Sequence, residues 1–204
     1  MTLALIDYGA GNLRSVENAL RAAGAGDICV TSDADMVRTA DRIVLPGVGA
    51  FAASMAALKA LPGMTQALDE TVRGKGRPFL GICVGMQLMA EAGEEFGRHD
   101  GLGWIAGTVA RLDPADASAR VPHMGWNDVT IAAPHALIEP GEAYFLHSFA
   151  FEATDPADLA ATTDHGGQVT AAVARETMLG VQFHPEKSQA YGLGLLARFL
   201  KWRP

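Results

Sequence analysis

Short apolar runs separated by glycine-rich or polar turns open the chain. Leu3–Ile6 reads as a strand, Gly9-Ala10-Gly11 as a turn, and Asn12–Ala23 as a helix with apolar positions at Leu13, Val16, Ala19, Leu20 and Ala23. Gly24 and Gly26 stop that helix. Asp27–Thr31 is a second strand, and Ile43-Val44-Leu45 a third, closed by Pro46-Gly47. Ala50–Leu61 and Met64–Arg73 read as helical, Pro78–Cys83 as a fourth strand, and Met86–Ala92 as a continuing helix. Short apolar strands alternating with helices predict a parallel sheet covered on both faces. In such sheets ligands bind beyond the carboxyl ends of the strands. Three glycine-rich loops fall there: Gly9–Asn12, Pro46–Ala50 and Cys83–Gly85.

The second half has another rhythm. Gly103–Ala106, Val109–Leu112, Val129–Ile131, Ala143–Leu146, Val169–Ala174 and Leu179–Phe183 are short β-like runs broken by Gly, Pro, Asp and Asn. They read as hairpins and a returning antiparallel part of the sheet. Leu193–Trp202 closes the chain as a helix, and Asp113–Arg120 is the most loop-like stretch. The expected fold class is α/β: a mostly parallel, flavodoxin-like sheet flanked by helices, with an antiparallel extension in the second half. The 204 residues show no repeat, low-complexity tract or clear linker, so one domain over residues 1–204 is expected.

Composition narrows the class. Hydrophobic residues make up 49% of the chain, enough for a sizeable core, yet no apolar run reaches membrane-spanning length. The first residues lack a basic region and meet Asp7 almost at once, which fits a first strand rather than a signal peptide, and a cytoplasmic protein is expected. Net charge is −7, and the basic residues Arg198, Lys201 and Arg203 suit a helix end, so neither nucleic acid nor membrane is an expected partner. Cys29 and Cys83 sit in different apolar segments without a disulfide framework or histidines at zinc spacing, so no metal is expected.

The chemistry concentrates on a few positions. Gly81-Ile82-Cys83-Val84-Gly85 lies between a strand and a helix, the arrangement of a nucleophile elbow. Flanking glycines permit the sharp turn, the helix N-terminus favours thiolate, and the Val84 N–H is a natural oxyanion donor. Cys29, inside Asp27-Ile28-Cys29-Val30, reads as plain strand packing. A thiolate needs a base and the base an orienting group. His184-Pro185-Glu186 supplies both at the end of an apolar strand, where alternate residues point to one side. His99, His135 and His165 lie among polar residues, and neither His123 nor His147 is expected to do acid–base work. Pro46-Gly47-Val48-Gly49-Ala50-Phe51 could give a second oxyanion N–H; the lysine and Ser/Thr of a phosphate loop are missing.

Gly81-Ile82-Cys83-Val84-Gly85-Met86-Gln87 together with His184-Pro185-Glu186 resembles the class I, triad glutamine amidotransferases. Asp7–Val16, Pro46–Phe51, Pro122-His123-Met124-Gly125-Trp126-Asn127 and Pro185–Gln189 are similar to the glutaminase subunits of imidazole glycerol phosphate synthases, over nearly the whole chain. The Pro122–Asn127 segment argues against sister subunits of the anthranilate or aminodeoxychorismate synthase type. Two rival assignments are a cysteine hydrolase or peptidase on a similar fold and a non-catalytic regulatory subunit; the second would have no use for Cys, His and Glu together. The resemblance implies Cys83, His184 and Glu186 as the triad. It implies Val48 or Gly49, with Val84, as the oxyanion region. Gly49, Gln87, Glu95, Ser148 and Phe149 match positions that hold glutamine, with Glu95 facing the α-ammonium group. Asn12, Met124, Trp126 and Lys187 match positions near a partner, a (β/α)₈-barrel cyclase subunit that receives ammonia. No cofactor is implied. Val84 replaces the commoner Leu, where only the backbone acts, and Phe149 replaces Tyr, keeping the ring without the hydroxyl.

Overall fold

The computed structural model describes residues 1–116 and 118–204. Strand β1 (Thr2–Ile6), helix α1 (Leu13–Ala22), β2 (Asp27–Thr31), α2 (Ala34–Thr39), β3 (Arg42–Gly47), α3 (Phe51–Ala60) and α4 (Met64–Asp69) lead to β4 (Phe79–Cys83) and α5 (Val84–Gln87). There follow β5 (Ala90–Gly93), β6 (His99–Asp100), β7 (Ile105–Arg111), β8 (His123–Ile131), β9 (Gly141–His147), β10 (Phe149–Ala153), β11 (Leu159–Asp164), β12 (Gln168–Arg175) and β13 (Met178–Val181). Helix α6 (Gln189–Lys201) closes the chain.

The main sheet has the order β2-β1-β3-β4-β13-β12-β11-β8-β9. Its first five strands are mutually parallel, and from β12 onward every pairing is antiparallel. The mixed α/β class with an antiparallel extension is therefore the observed one. A smaller sheet, β10-β7-β5-β6, lies beside it. Parallel strands are apolar on both faces because helices cover them; Leu3, Leu5, Ile43, Leu45, Phe79 and Leu80 have no exposed surface. Each such side chain contributes about 1.5–3 kcal/mol by leaving water. Helix α1 packs with α6, and α4 packs with α2 and α3. Pro46 fits inside β3 because β1 pairs only with Arg42–Val44, so the proline lies past that ladder.

Several elements differ from the sequence pattern. The expected Met86–Ala92 helix is a single turn, Val84–Gln87, followed by strand β5. The carbonyls of Leu88, Met89, Ala90 and Glu91 accept from N–H groups of Gly101–Ile105, so long-range bonds replace the helical ladder. Gly103–Ala106 and Val109–Leu112 are not two strands but largely one, β7. Strand β8 starts at His123 instead of Val129 and includes the Pro122–Asn127 motif from its second residue. Its alternation is regular but inverted in polarity: Met124 and Trp126 are exposed while His123 is buried. Helix α2 was hidden by its shortness and polarity; Asp33 caps it by accepting from the Asp35 N–H. Strands β10 and β11 also fall outside the expected set. Residues 113–116 and 118–120 hold no helix or strand, as expected of that stretch, and Ala117 lies outside the described residues.

Helix α5 leaves β4 so abruptly that its Gly85 touches the end of β3. A Cβ on Gly85 would stand 1.8 Å from the Leu45 carbonyl oxygen, which is backbone and cannot swing away. At Gly26 a Cβ would meet nothing within 4 Å. Gly85→Ala is expected to destabilise the protein by about 1–3 kcal/mol or more, and Gly26→Ala to stay within roughly 0.5 kcal/mol, in urea unfolding. Equal midpoints for the two variants would contradict the close approach of α5 to β3.

Candidate active site

The site grows out of strand register. Gly47 at the end of β3 pairs with Cys83 at the end of β4. On the other side of β4, Val181 of β13 pairs with Ile82, which carries the chain into Gln182, Phe183 and His184 beside Cys83. Three adjacent parallel strands thus deliver an oxyanion-type loop, a thiol and an imidazole to one edge.

Cys83 has φ 53° and ψ −112°, a conformation that costs a non-glycine residue about 1–3 kcal/mol. It is 4% exposed. The elbow expected from the flanking glycines is present. The expected helical support is smaller, because α5 has one turn only and offers its first N–H groups rather than the dipole of a long helix. Cys29 is a half-buried free cysteine on β2.

His184 is almost fully buried, and its Nδ1 lies 2.9 Å from Glu186 Oε1. Glu186 Oε2 is buried with no partner among the described residues, so the carboxylate has one neighbour to serve. Burial on its own would lower the basicity of His184; the Cys83 sulfur and the Glu186 carboxylate outweigh it and hold the imidazole up at about 9. His184 is then protonated at neutral pH.

A cavity of about 160 Å³ opens over these groups. It is lined by Val48, Gly49, Cys83, Val84, Gln87, Glu95, Ser148, Phe149 and His184, together with Leu146, His147 and Lys187. The structure therefore brings together every residue assigned to oxyanion or glutamine binding, with Glu186 behind His184. Gly49 has φ 91°, in the region that glycine alone occupies freely. Val48 is exposed at the rim. Gln87 donates to the Phe149 carbonyl and to Gln182 Oε1, both at 3.0 Å. The Ser148 carbonyl accepts from the Leu112 N–H, which anchors that side of the pocket to the end of β7. Glu95 is not a free acid: its Oε2 accepts from the Phe51 N–H at 2.8 Å, capping α3, whose N-cap residue Ala50 cannot do so. One carboxylate oxygen remains for the cavity.

Gln182 is a site residue that the sequence motifs did not disclose. It has no exposed surface, and its Nε2 donates to Cys83 Sγ at 3.6 Å while its Oε1 accepts from Gln87. The available signal was a lone amide inside the apolar run Leu179–Phe183, since a buried polar residue is the informative exception.

The four residues assigned to a partner all lie at the surface. Met124 and Trp126 are 65% and 47% exposed on β8. Trp126 meets Tyr144 edge-on, and the Lys187 ammonium stands over the Tyr144 ring, so these form one continuous patch. Asn12 is exposed at the start of α1, which packs against the Pro185–Lys187 turn. No group of His, Cys, Asp and Glu suited to a metal ion occurs among the described residues, and no described helix is long and apolar enough to cross a membrane.

Comparison with known proteins places the sequence and its fold. The family described as glutamine amidotransferase class-I matches residues 4–201. The chain is 62% identical to imidazole glycerol phosphate synthase subunit HisH of Zymomonas mobilis, over 100% of this chain and 97% of the relative. It is 53% identical to the subunit of that name from Ruegeria pomeroyi, over 100% of both. A crystal structure of a glutamine amidotransferase superposes with TM-score 0.75 at 16% identity, covering 97% of each chain. The glutaminase domain of Trypanosoma brucei CTPS with bound acivicin gives 0.65 at 18%, covering 100% and 95%. Those two likenesses speak for the fold alone, whereas the full-length identities place the sequence: the chain belongs to the class I glutamine amidotransferase family and, within it, to the imidazole glycerol phosphate synthase subunits HisH.

Proposed function

We propose that this chain, as a single domain, hydrolyses glutamine and passes the ammonia to a (β/α)₈-barrel cyclase, the pair acting in the cytoplasm as an imidazole glycerol phosphate synthase of histidine biosynthesis. The observation that carries the reading is the strained Cys83 elbow beside the His184–Glu186 pair, opening on a cavity lined by Gln87, Glu95 and Phe149.

In this mechanism the Cys83 thiolate attacks the γ-amide carbon of glutamine. The C=O electrons move to oxygen, which rests against N–H groups of the Val48–Gly49 loop and of Val84. Protonated His184 gives its proton to the amide nitrogen, the C–N bond breaks, and ammonia leaves. His184 then takes a proton from water as that water attacks the γ-glutamyl thioester, and glutamate departs with the thiolate restored. Glu186 holds the imidazole with Nδ1–H toward itself and Nε2 toward sulfur. Gln182 steadies the thiolate with its amide N–H. The free oxygen of Glu95 faces the substrate's α-ammonium, and Phe149 and Gln87 shape the wall. The chemistry requires no cofactor.

Ammonia released to water is protonated and lost as a nucleophile, which favours direct transfer to a second subunit. The Met124–Trp126–Tyr144 patch with Lys187 suits a partner that combines apolar contacts with an acidic group. The cyclase would use the nitrogen to form imidazole glycerol phosphate and the aminoimidazole carboxamide nucleotide. Relatives that carry the name of a subunit support this assignment.

The decisive assay measures glutamate release with and without the barrel subunit. Wild type is expected to be weak alone and strongly stimulated by the partner, and Cys83→Ala to lose at least about a thousandfold; equal rates for the two proteins would remove the glutaminase reading. Because His184 is held up at about 9, activity should fall as pH rises through that value and the imidazolium is lost. Glu186→Gln withdraws a charge that favours the imidazolium, so the alkaline limb should move toward neutrality; an unmoved limb argues against Glu186 as the orienting group. Trp126→Ala is expected to weaken partner binding by about 2 kcal/mol in titration calorimetry, with stimulation recovered at high partner concentration.

A further inference from the structure

From the cavity lining at His147, a line of side chains that the hydrolytic mechanism does not use runs outward to β8. His123 on β8 and His147 on β9 are opposite one another in the strand register and are buried, at 3% and 6% exposure. His123 Nδ1 lies 3.0 Å from His147 Nε2. His147 Nδ1 lies 2.9 Å from the Phe149 carbonyl oxygen, and Asn127 Nδ2 lies 3.1 Å from His123 Nε2.

The direction of these bonds is fixed from both ends. A carbonyl only accepts, so His147 carries its proton on Nδ1 and offers Nε2 as acceptor. His123 must then donate from Nδ1 and accept at Nε2. At the other end, the Asn127 amide is oriented independently: its Nδ2 also donates to the Asp164 carbonyl, and its Oδ1 accepts from the Asp128 N–H. It therefore presents an N–H to His123 Nε2. The two ends demand the same pair of tautomers. A proton added to either ring would set two donors face to face. Around the pair, the His165 ring stacks on His123 with centroids 4.0 Å apart, Phe145 covers the opposite face at 4.6 Å, and the His184 charge acts on His147. Burial and these neighbouring histidines push His123 to about 3 and His147 to about 4, so both rings are neutral at physiological pH.

The line starts on the strand whose outer positions, Met124 and Trp126, form the exposed patch. It ends on the carbonyl that Gln87 also grips, in the segment Ser148–Phe149 that walls the cavity. We propose that Asn127, His123 and His147 form a one-way hydrogen-bond relay that sets the Phe149 carbonyl, so that the outward strand β8 and the glutamine-binding wall move as one unit. The histidines are positioning residues, and their role in substrate binding rests on the glutaminase reading above.

The first test needs no variant. Nitrogen-15 NMR of the imidazoles in the full chain should find His123 and His147 as neutral Nδ1–H tautomers at pH 7, still neutral at pH 5. An Nε2–H tautomer at either ring, or protonation near pH 6.5, overturns the relay. The second test is kinetic, in the complex with the barrel subunit. His123→Leu should raise KM for glutamine roughly tenfold and leave kcat nearly unchanged, because the Cys83–His184–Glu186 set is untouched. His123→Asn, whose amide reproduces the Nδ1–H donor, should recover most of the loss. A wild-type KM in His123→Leu, or equal defects in both variants, overturns the proposal. A wild type unable to hydrolyse glutamine would sink the glutaminase reading alone, and the tautomer test would still decide the relay.

Discussion

The parallel pairing of β4 between β3 and β13 is the constraint on which the rest depends. Register on one side sets Gly47 opposite Cys83, and register on the other carries the chain from Val181 to His184 next to it. A shift of one residue would turn every side chain to the other face. Both faces of these strands are buried, so a slip would not expose Leu45, Leu80 or Leu179; it would drive side chains into the close approaches that Gly81 makes to Gly85 and Gly180 makes to Met86 and Met89. Core packing thus holds Cys83 and His184 side by side at the sheet edge.

Strain and charge are both concentrated at that edge. Cys83 holds a left-handed φ that core packing can sustain, and glycines at 81 and 85 make room for the turn. The protonation pattern then divides by neighbours. His184 has sulfur and carboxylate beside it and is held charged, whereas His147 and His123 have other histidines and a carbonyl and are held neutral. Burial acts in the same direction on all three, so the partners decide the outcome. One cluster of rings therefore separates a charged imidazole from neutral ones suited to directed hydrogen bonding.

Glu95 has two roles at once. It caps α3 through the Phe51 N–H and still lines the cavity. The cap ties the Val48–Gly49 loop, which leads into α3, to the same carboxylate that lines the cavity. Gln87 works similarly on the opposite wall, holding Phe149 and Gln182 together. Shared residues link the cavity's walls by hydrogen bonds, and Val48 stands exposed at its rim.

The sequence by itself determined the α/β class, the parallel first half, the elbow at Cys83 and the His184–Glu186 pairing. These are local: apolar runs, glycines that a tight turn requires, and an acid two residues from a histidine. It did not determine the end of α5, the start of β8, the short helix α2, or the part played by Gln182. Carbonyls of residues 88–91 could have bonded within a helix, and only the approach of Gly101–Ile105 turned them into a sheet. Strand β8 hid because its outward residues are apolar and its inward ones are His, Gly and Asn, a reversal that makes sense only with the neighbouring rings and the exposed patch in place. Gln182 looked like one polar residue in a strand until β13 was seen to lie beside β4. Local spacing specifies what an element can be; which groups it meets depends on partners distant in the chain, and that was decided by the sheet.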